Sequence, residues 1–213
     1  MLRASQDWLY RDLRLVVAAR SLFSFGIDAL DATTHGCAFD AAGICTIKTA
    51  HSRGVPDAHF ITWLGQFQLV RRFDPWGVEA LLRADLQLAA DPLFSLEQYS
   101  VGGEHTVRGY RENRLVRDNG LTSSLEVRVP VWVDAAHQVI VQLAPFCDAG
   151  RSWNTERDEP SPRTLASVGI GLRTTWRHLH GELFGGHQIK DVDKPDDRAL
   201  QDEGVHFSLV ASF

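Results

Sequence analysis

From residue 78 to residue 90 the chain switches character at every step. Val78, Ala80, Leu82, Ala84, Leu86, Leu88 and Ala90 fall on one side, and Glu79, Leu81, Arg83, Asp85, Gln87 and Ala89 on the other. A period of two over that length predicts a β-strand between an apolar and a polar environment. Residues 121–133 repeat it, with Leu121, Ser123, Leu125, Val127, Val129, Val131 and Val133 against Thr122, Ser124, Glu126, Arg128, Pro130 and Trp132. The C-terminal segment repeats it again, as Val205, Phe207, Leu209, Ala211 and Phe213 alternate with His206, Ser208, Val210 and Ser212. Weaker alternation over 11–28, 58–72, 137–148, 164–177 and 180–190 brings the expectation to about eight strands, most of them longer than the strands usual in soluble sheets.

The connections fall into two kinds. Asp74-Pro75-Trp76-Gly77, Asp134-Ala135-Ala136-His137 and Arg177-His178-Leu179-His180-Gly181 read as short turns, while 29–57, 91–120, 151–163 and 191–202 read as long polar loops. Short turns on one side and long loops on the other describe an all-β, antiparallel transmembrane barrel with its loops outside the cell. A soluble β-sandwich also alternates, but it does not account for the strand length or the loop asymmetry. Aromatic residues near strand ends (Trp8, Tyr10, Trp76, Trp132, Trp153, Trp176) suit interfacial girdles, with core packing as the other reading. By parity Trp132 shares the polar face of its strand and is expected to point inward at the rim.

Composition narrows the picture further. The 213 residues are 44% hydrophobic and 23% charged, values that strands with one wet face also give. No apolar run approaches the length of a membrane-spanning helix. Residues 1–10 lack a basic start, an apolar middle and a cleavage site, so the chain reads as a C-terminal part without its export signal. A net charge of −5 argues against nucleic acid as a partner. Cys37, Cys45 and Cys147 form no CxxC pair, and no metal site is expected. Cys37 and Cys45 read equally as a loop disulfide and as two free thiols.

Residues 91–130 read DPLFSLEQYSVGGEHTVRGYRENRLVRDNGLTSSLEVRVP. This segment resembles the TpsB transporters of two-partner secretion, the haemolysin secretion/activation proteins of the ShlB/FhaC/HecB type, in the superfamily that also holds the BamA-like insertases. Val107-Arg108-Gly109-Tyr110 is similar to the VRGY motif at the tip of their sixth extracellular loop. Gly102-Gly103 before it and Asp118-Asn119-Gly120 after it fit the same pattern, and Phe146, Asp148 and Gly150 match an FxDxG strand motif. The resemblance implies that 1–213 is the C-terminal half of a transmembrane barrel of about sixteen strands. It also implies a signal peptide and POTRA domains that this stretch does not contain, and a place in the outer membrane of a Gram-negative bacterium. The terminal Phe213 resembles the signal that barrel assembly machinery reads.

Strand parity adds a physical expectation to the resemblance. Glu126 falls on the polar face of its strand, and Asp148 falls on the less apolar face of the next, with Gln138, Ile140, Gln142, Ala144 and Phe146. Both carboxylates should face the lumen. A long loop can fold back between them, and mainly on the resemblance Arg108 is expected to act as a latch there, with Gly109 permitting the turn at the tip. The competing reading leaves Arg108 solvated and Asp148 as a turn former.

No HExxH, GxSxG or phosphate-loop motif occurs, and the nine histidines are scattered. His206 and Ser208 share a lumen face, which reads as two polar wall residues. Neither catalysis nor a cofactor is expected. The expected function is translocation, with possible activation, of a large TpsA-type exoprotein such as a haemolysin or adhesin, in contact with outer-membrane lipid. The alternatives are a BamA-like assembly protein and an inactive remnant, since a half-barrel leaves open strand edges.

Overall fold

The computed structural model describes residues 1–27, 56, 58–190, 192 and 203–212, with the backbone of 37–39 and 45–48. Among these residues there is no helix, and hence none long and apolar enough to cross a membrane. The strands are β1 (Leu2–Arg11), β2 (Leu15–Phe25), β3 (Cys37–Phe39), β4 (Cys45–Lys48), β5 (Ile61–Phe73), β6 (Val78–Ala89), β7 (Tyr99–Val101), β8 (Leu115–Arg117), β9 (Asn119–Asp134), β10 (Val139–Trp153), β11 (Thr164–Trp176), β12 (Leu179–Gln188) and β13 (Val205–Ala211). Nine of them form one antiparallel sheet in the order β1-β2-β5-β6-β9-β10-β11-β12-β13. The pairs β3–β4 and β7–β8 are small hairpins within the long loops.

The sheet is a meander whose connections alternate without exception. Short links at 12–14, 74–77, 135–138 and 177–178 lie on one side, and long ones at 26–60, 90–118, 154–163 and 189–204 on the other. β9 has 16 residues, β10 15 and β5 13, more than the nine to eleven or so that cross a bilayer at a tilt. The turn at 134–137 has a visible cause, since Asp134 Oδ1 accepts the backbone N–H groups of Ala136 (3.0 Å) and His137 (3.2 Å).

The two faces of the sheet follow the alternation. On β10, Leu143, Pro145, Cys147 and Ala149 are exposed while Ala144, Phe146, Asp148 and Gly150 between them are buried. On β11, Val168, Ile170 and Leu172 point the same way as Leu143, and on β13 so do Phe207 and Leu209, which are 71% and 63% exposed. These residues make a continuous apolar outer face, as the alternation requires. The opposite, concave face carries Asp7 paired with Arg20 (3.5 Å) on β1 and β2, Gln66 and Gln68 on β5, and Arg83, Asp85 and Gln87 on β6. A cavity of about 720 Å³ lies between these residues and the loop at 98–106. Arg3 on β1 reaches across to Glu97 of that loop, at 3.0 Å.

Three expectations need correction. The first strand is Leu2–Arg11, ahead of the segment read as the first, so the sheet has nine strands rather than about eight. Its alternation is blurred, because Gln6 lies on the outer face and Leu9 on the inner one. The turn read across 177–181 is only Arg177-His178, with Arg177 at φ 51°, and His180 is already in β12. Trp132 does not point inward. Gln142 pairs with Pro130 but Val141 pairs with Trp132, so Val131 is an extra residue. That bulge reverses the parity of the strand end and puts Trp132 opposite Val141 on the apolar outer face, 61% exposed. Trp132 thereby joins Tyr10, Trp76 and Trp176, all exposed and all at the turn side, in one aromatic belt. Phe213 and the side chains of Cys37 and Cys45 lie outside the described residues.

Candidate functional site

The long loop at 90–118 keeps Leu96 and Arg111–Asn113 exposed, but its middle turns back toward the sheet. It folds into the concave side of the sheet, where Val101, Val107 and Tyr110 are fully buried and pack with Leu115 and Leu165. Each small residue beneath it is accounted for by what lies above. A Cβ on Gly150 would come within 2.4 Å of Val101 and 2.9 Å of Val107. Gly109 has φ +93°, a conformation that side-chain-bearing residues rarely adopt, and it rests on Gly186 of β12, where a Cβ would lie 2.9 Å from the Gly109 Cα. The Gly109 carbonyl accepts a bond from Gln188 Nε2 at 2.6 Å. The Tyr110 hydroxyl sits 2.8 Å from the Ala166 carbonyl and 2.9 Å from that of Lys190, and accepts the Lys190 N–H at 3.2 Å.

Between these apolar contacts lies a charged cluster. Arg108 is bidentate on Asp148, with Nε 2.8 Å from Oδ2 and NH2 2.9 Å from Oδ1, and its own backbone N–H donates to Oδ2 at 3.0 Å. NH1 donates to Glu126 Oε2 at 2.5 Å, and NH2 also to Ser124 Oγ at 3.1 Å. The guanidinium carbon sits over the Phe146 ring, 3.7 Å from its centroid, and Phe146 meets Phe184 edge-on at 6.1 Å. Arg108, Glu126 and Asp148 are 5%, 2% and 3% exposed. The structure thus brings together Val107–Tyr110, Glu126, Phe146, Asp148 and Gly150. The alternative of a solvated Arg108 and a turn-forming Asp148 does not describe it, because Asp148 is mid-strand and buried.

The cluster is larger than one arginine between two acids. Glu126 Oε1 also holds Arg128 (2.8 Å) and Arg173 (3.1 Å), and Arg173 pairs with Glu182. Three guanidiniums therefore face three carboxylates across β9, β10, β11, β12 and the loop, so the formal charges of this cluster balance. Sequence reasoning missed Ser124, Arg128, Arg173, Glu182, Phe184 and Gly186. All occupy inward positions, and only that parity could have marked them. Gly169 and Gly171 leave room for the rings, as a Cβ on either would lie 2.4 Å from Phe146 or Phe184 respectively. Nearby, the Tyr99 hydroxyl is 2.6 Å from Thr122 Oγ1, and burial pushes the phenol up to about 12.

Comparison with known proteins bears on the family and the fold. The family model for haemolysin secretion/activation protein ShlB/FhaC/HecB matches residues 13–174. The outer membrane transporter CdiB of Escherichia coli O6:K15:H31 (strain 536 / UPEC) is 28% identical over 197 residues, covering 82% of this chain and 31% of the relative. A second CdiB from Escherichia coli is 26% identical over 195 residues, with the same coverage. The chain thus spans about a third of the length of these curated relatives. The solved structure of CdiB from Escherichia coli superposes with a TM-score of 0.69 at 23% identity, over 96% of this chain and 35% of that one. CdiB from Acinetobacter baumannii superposes at 0.67 with 16% identity, over 99% and 33%. These superpositions establish the partial-barrel fold. With the family model spanning most of its length, this chain belongs to the haemolysin secretion/activation protein ShlB/FhaC/HecB family of the Gram-negative outer membrane.

Proposed function

We propose that this chain is the gate-bearing C-terminal barrel segment of an outer-membrane transporter that exports a large TpsA-type exoprotein by two-partner secretion. The carrying observation is the buried pairing of Arg108 with Asp148 and Glu126, which holds a long outer loop inside the lumen. A polypeptide crossing in extended form carries unpaired backbone polar groups, and a lumen wall of glutamine, arginine and aspartate on β5 and β6 can hydrogen-bond to them. The apolar outer face contacts lipid. The matching relatives are transporters, which favours secretion over barrel insertion. In this role the barrel is a conduit rather than an enzyme.

Removing one partner of a buried ion pair costs about 3–5 kcal/mol, because the other charge is left uncompensated. Arg108→Ala in the complete transporter should therefore release the loop tip and abolish or cripple export, while the heat-modifiable barrel stays in the membrane. Export at the normal level, with the barrel present in normal amount, would sink the proposal.

A further inference from the structure

Ten residues beyond the loop tip is a second buried polar cluster that the latch does not use. Arg117, Asp118 and Asn119 are 4%, 0% and 3% exposed at the outer rim. Arg117 NH1 donates to the Ser152 carbonyl at 2.8 Å, and its NH2 donates to the carbonyls of Pro160 and, at 2.9 Å, Pro162. Asp118 Oδ1 accepts from the Leu93 N–H (3.0 Å), from Gln98 Nε2 (3.0 Å) and from Arg157, while Oδ2 accepts the Thr155 N–H at 2.9 Å. Asn119 Nδ2 reaches Thr155 Oγ1 at 2.8 Å, and its Oδ1 accepts the Ala89 N–H at 2.7 Å.

These bonds join three segments. Leu93 and Gln98 lie on the entering limb of the latch loop, Arg117 and Asp118 on its leaving limb, and Thr155, Arg157, Pro160 and Pro162 on the next outer loop. The β7–β8 hairpin ties the two limbs again, through Tyr99↔Arg117 and Val101↔Leu115. What remains between the ties is the stretch from Gly102 to Asn113. It is bounded by residues in left-handed conformations, with φ +113° at Gly102, +105° at Gly103 and 57° at Asn113. A carboxylate with no exposure that accepts four hydrogen bonds is a fixed point, because it cannot leave without giving up all four charge-assisted bonds at once.

We propose that Arg117 and Asp118 are positioning residues of the gate. They form a rim anchor that pins both limbs of the loop to the 154–163 loop, so that unlatching moves the 102–113 tip alone and leaves the limbs in place. This rests on the reading of the Arg108 tip as a gate, but its test does not depend on secretion. Intact cells carrying the full-length transporter are treated with external trypsin, and cleavage is followed at Arg111 on the tip and at Arg157 in the clamp. Arg108→Ala should speed cleavage at Arg111 by about tenfold with Arg157 unchanged. Asp118→Asn should speed cleavage at Arg157 by about tenfold and move Arg111 less than Arg108→Ala does. If Asp118→Asn does not reach the membrane, Gln98→Ala, which removes a single donor to the same carboxylate, should give the same site pattern. A general loss of stability would raise both sites together. Equal increases at both sites in Arg108→Ala, or an unchanged Arg157 in the clamp variants, would overturn the proposal. Loss of export in Arg108→Ala bears only on the gate.

Discussion

Replacing Asp148 with asparagine isolates the charge of the latch from its shape. Asp148 accepts three hydrogen bonds from Arg108, at 3.0, 2.8 and 2.9 Å. The asparagine keeps the volume and one oxygen. Its NH2 group must face a donor of Arg108, so at least one charge-assisted bond is lost and a donor opposes a donor. Glu126 remains, with its 2.5 Å contact to NH1, so the guanidinium is not wholly orphaned. The cost is therefore below that of breaking the pair outright, roughly 2–4 kcal/mol, which multiplies the unlatched population about 30- to 1,000-fold. Val107 has no exposed surface in the latched state, so a cysteine placed there reports the opening directly. In a background with Cys37, Cys45 and Cys147 changed to serine, Val107→Cys should react slowly with an external maleimide and faster by that factor when Asp148→Asn is added. Because Arg108 and Asp148 act as one unit, adding Arg108→Ala to Asp148→Asn should increase the rate far less than the product of the two effects. An unchanged labelling rate in Asp148→Asn, or full additivity in the double variant, refutes the argument that this pair holds the tip.

Two further outcomes are expected. Gly150→Val puts side-chain atoms where Val101 and Val107 now sit, at 2.4 and 2.9 Å, and overpacking of this kind costs about 1–3 kcal/mol. It should raise Val107→Cys labelling while Arg108 and Asp148 keep their charges. In a variant whose other tryptophans are phenylalanine, Trp132 fluorescence should be quenched by brominated lipid and little by aqueous iodide; the reverse would put it back on the lumen side of its strand.

The facing of most side chains was legible because a strand's period is fixed at two. Once Glu126 and Asp148 were assigned to polar faces, no contact information was needed to put both inside. Which residues meet was another matter. Cross-strand partners such as Phe146↔Glu126 and Leu81↔Glu126 depend on register, which is set by long-range pairing and leaves no local trace. Arg128, Arg173 and Glu182 were therefore readable as inward but not as members of one cluster. The Val131 bulge was invisible for a related reason. Val129, Val131 and Val133 continue the alternation without a break, and only the partner strand shows that one of them is extra. β1 escaped because its two faces are chemically mixed, with Gln6 outside and Leu9 inside.

The composition of the latch suits the proposed gate. An apolar plug of the same size would leave the wall by exposing hydrophobic surface to a wet lumen, at a cost that grows with area. A balanced set of three guanidiniums and three carboxylates is different, since its pairing gains are largely cancelled by the desolvation it requires. When the tip withdraws as a whole, the lumen can rehydrate Asp148 and Glu126, and Glu126 keeps Arg128 and Arg173 as partners. Removing one charge by mutation allows no such exchange. The cluster is thus costly to break one-sidedly and cheaper to separate reversibly. Meanwhile Val107 and Tyr110, fully buried where Gly109 lies on Gly186, define the seated position of the tip by shape rather than charge.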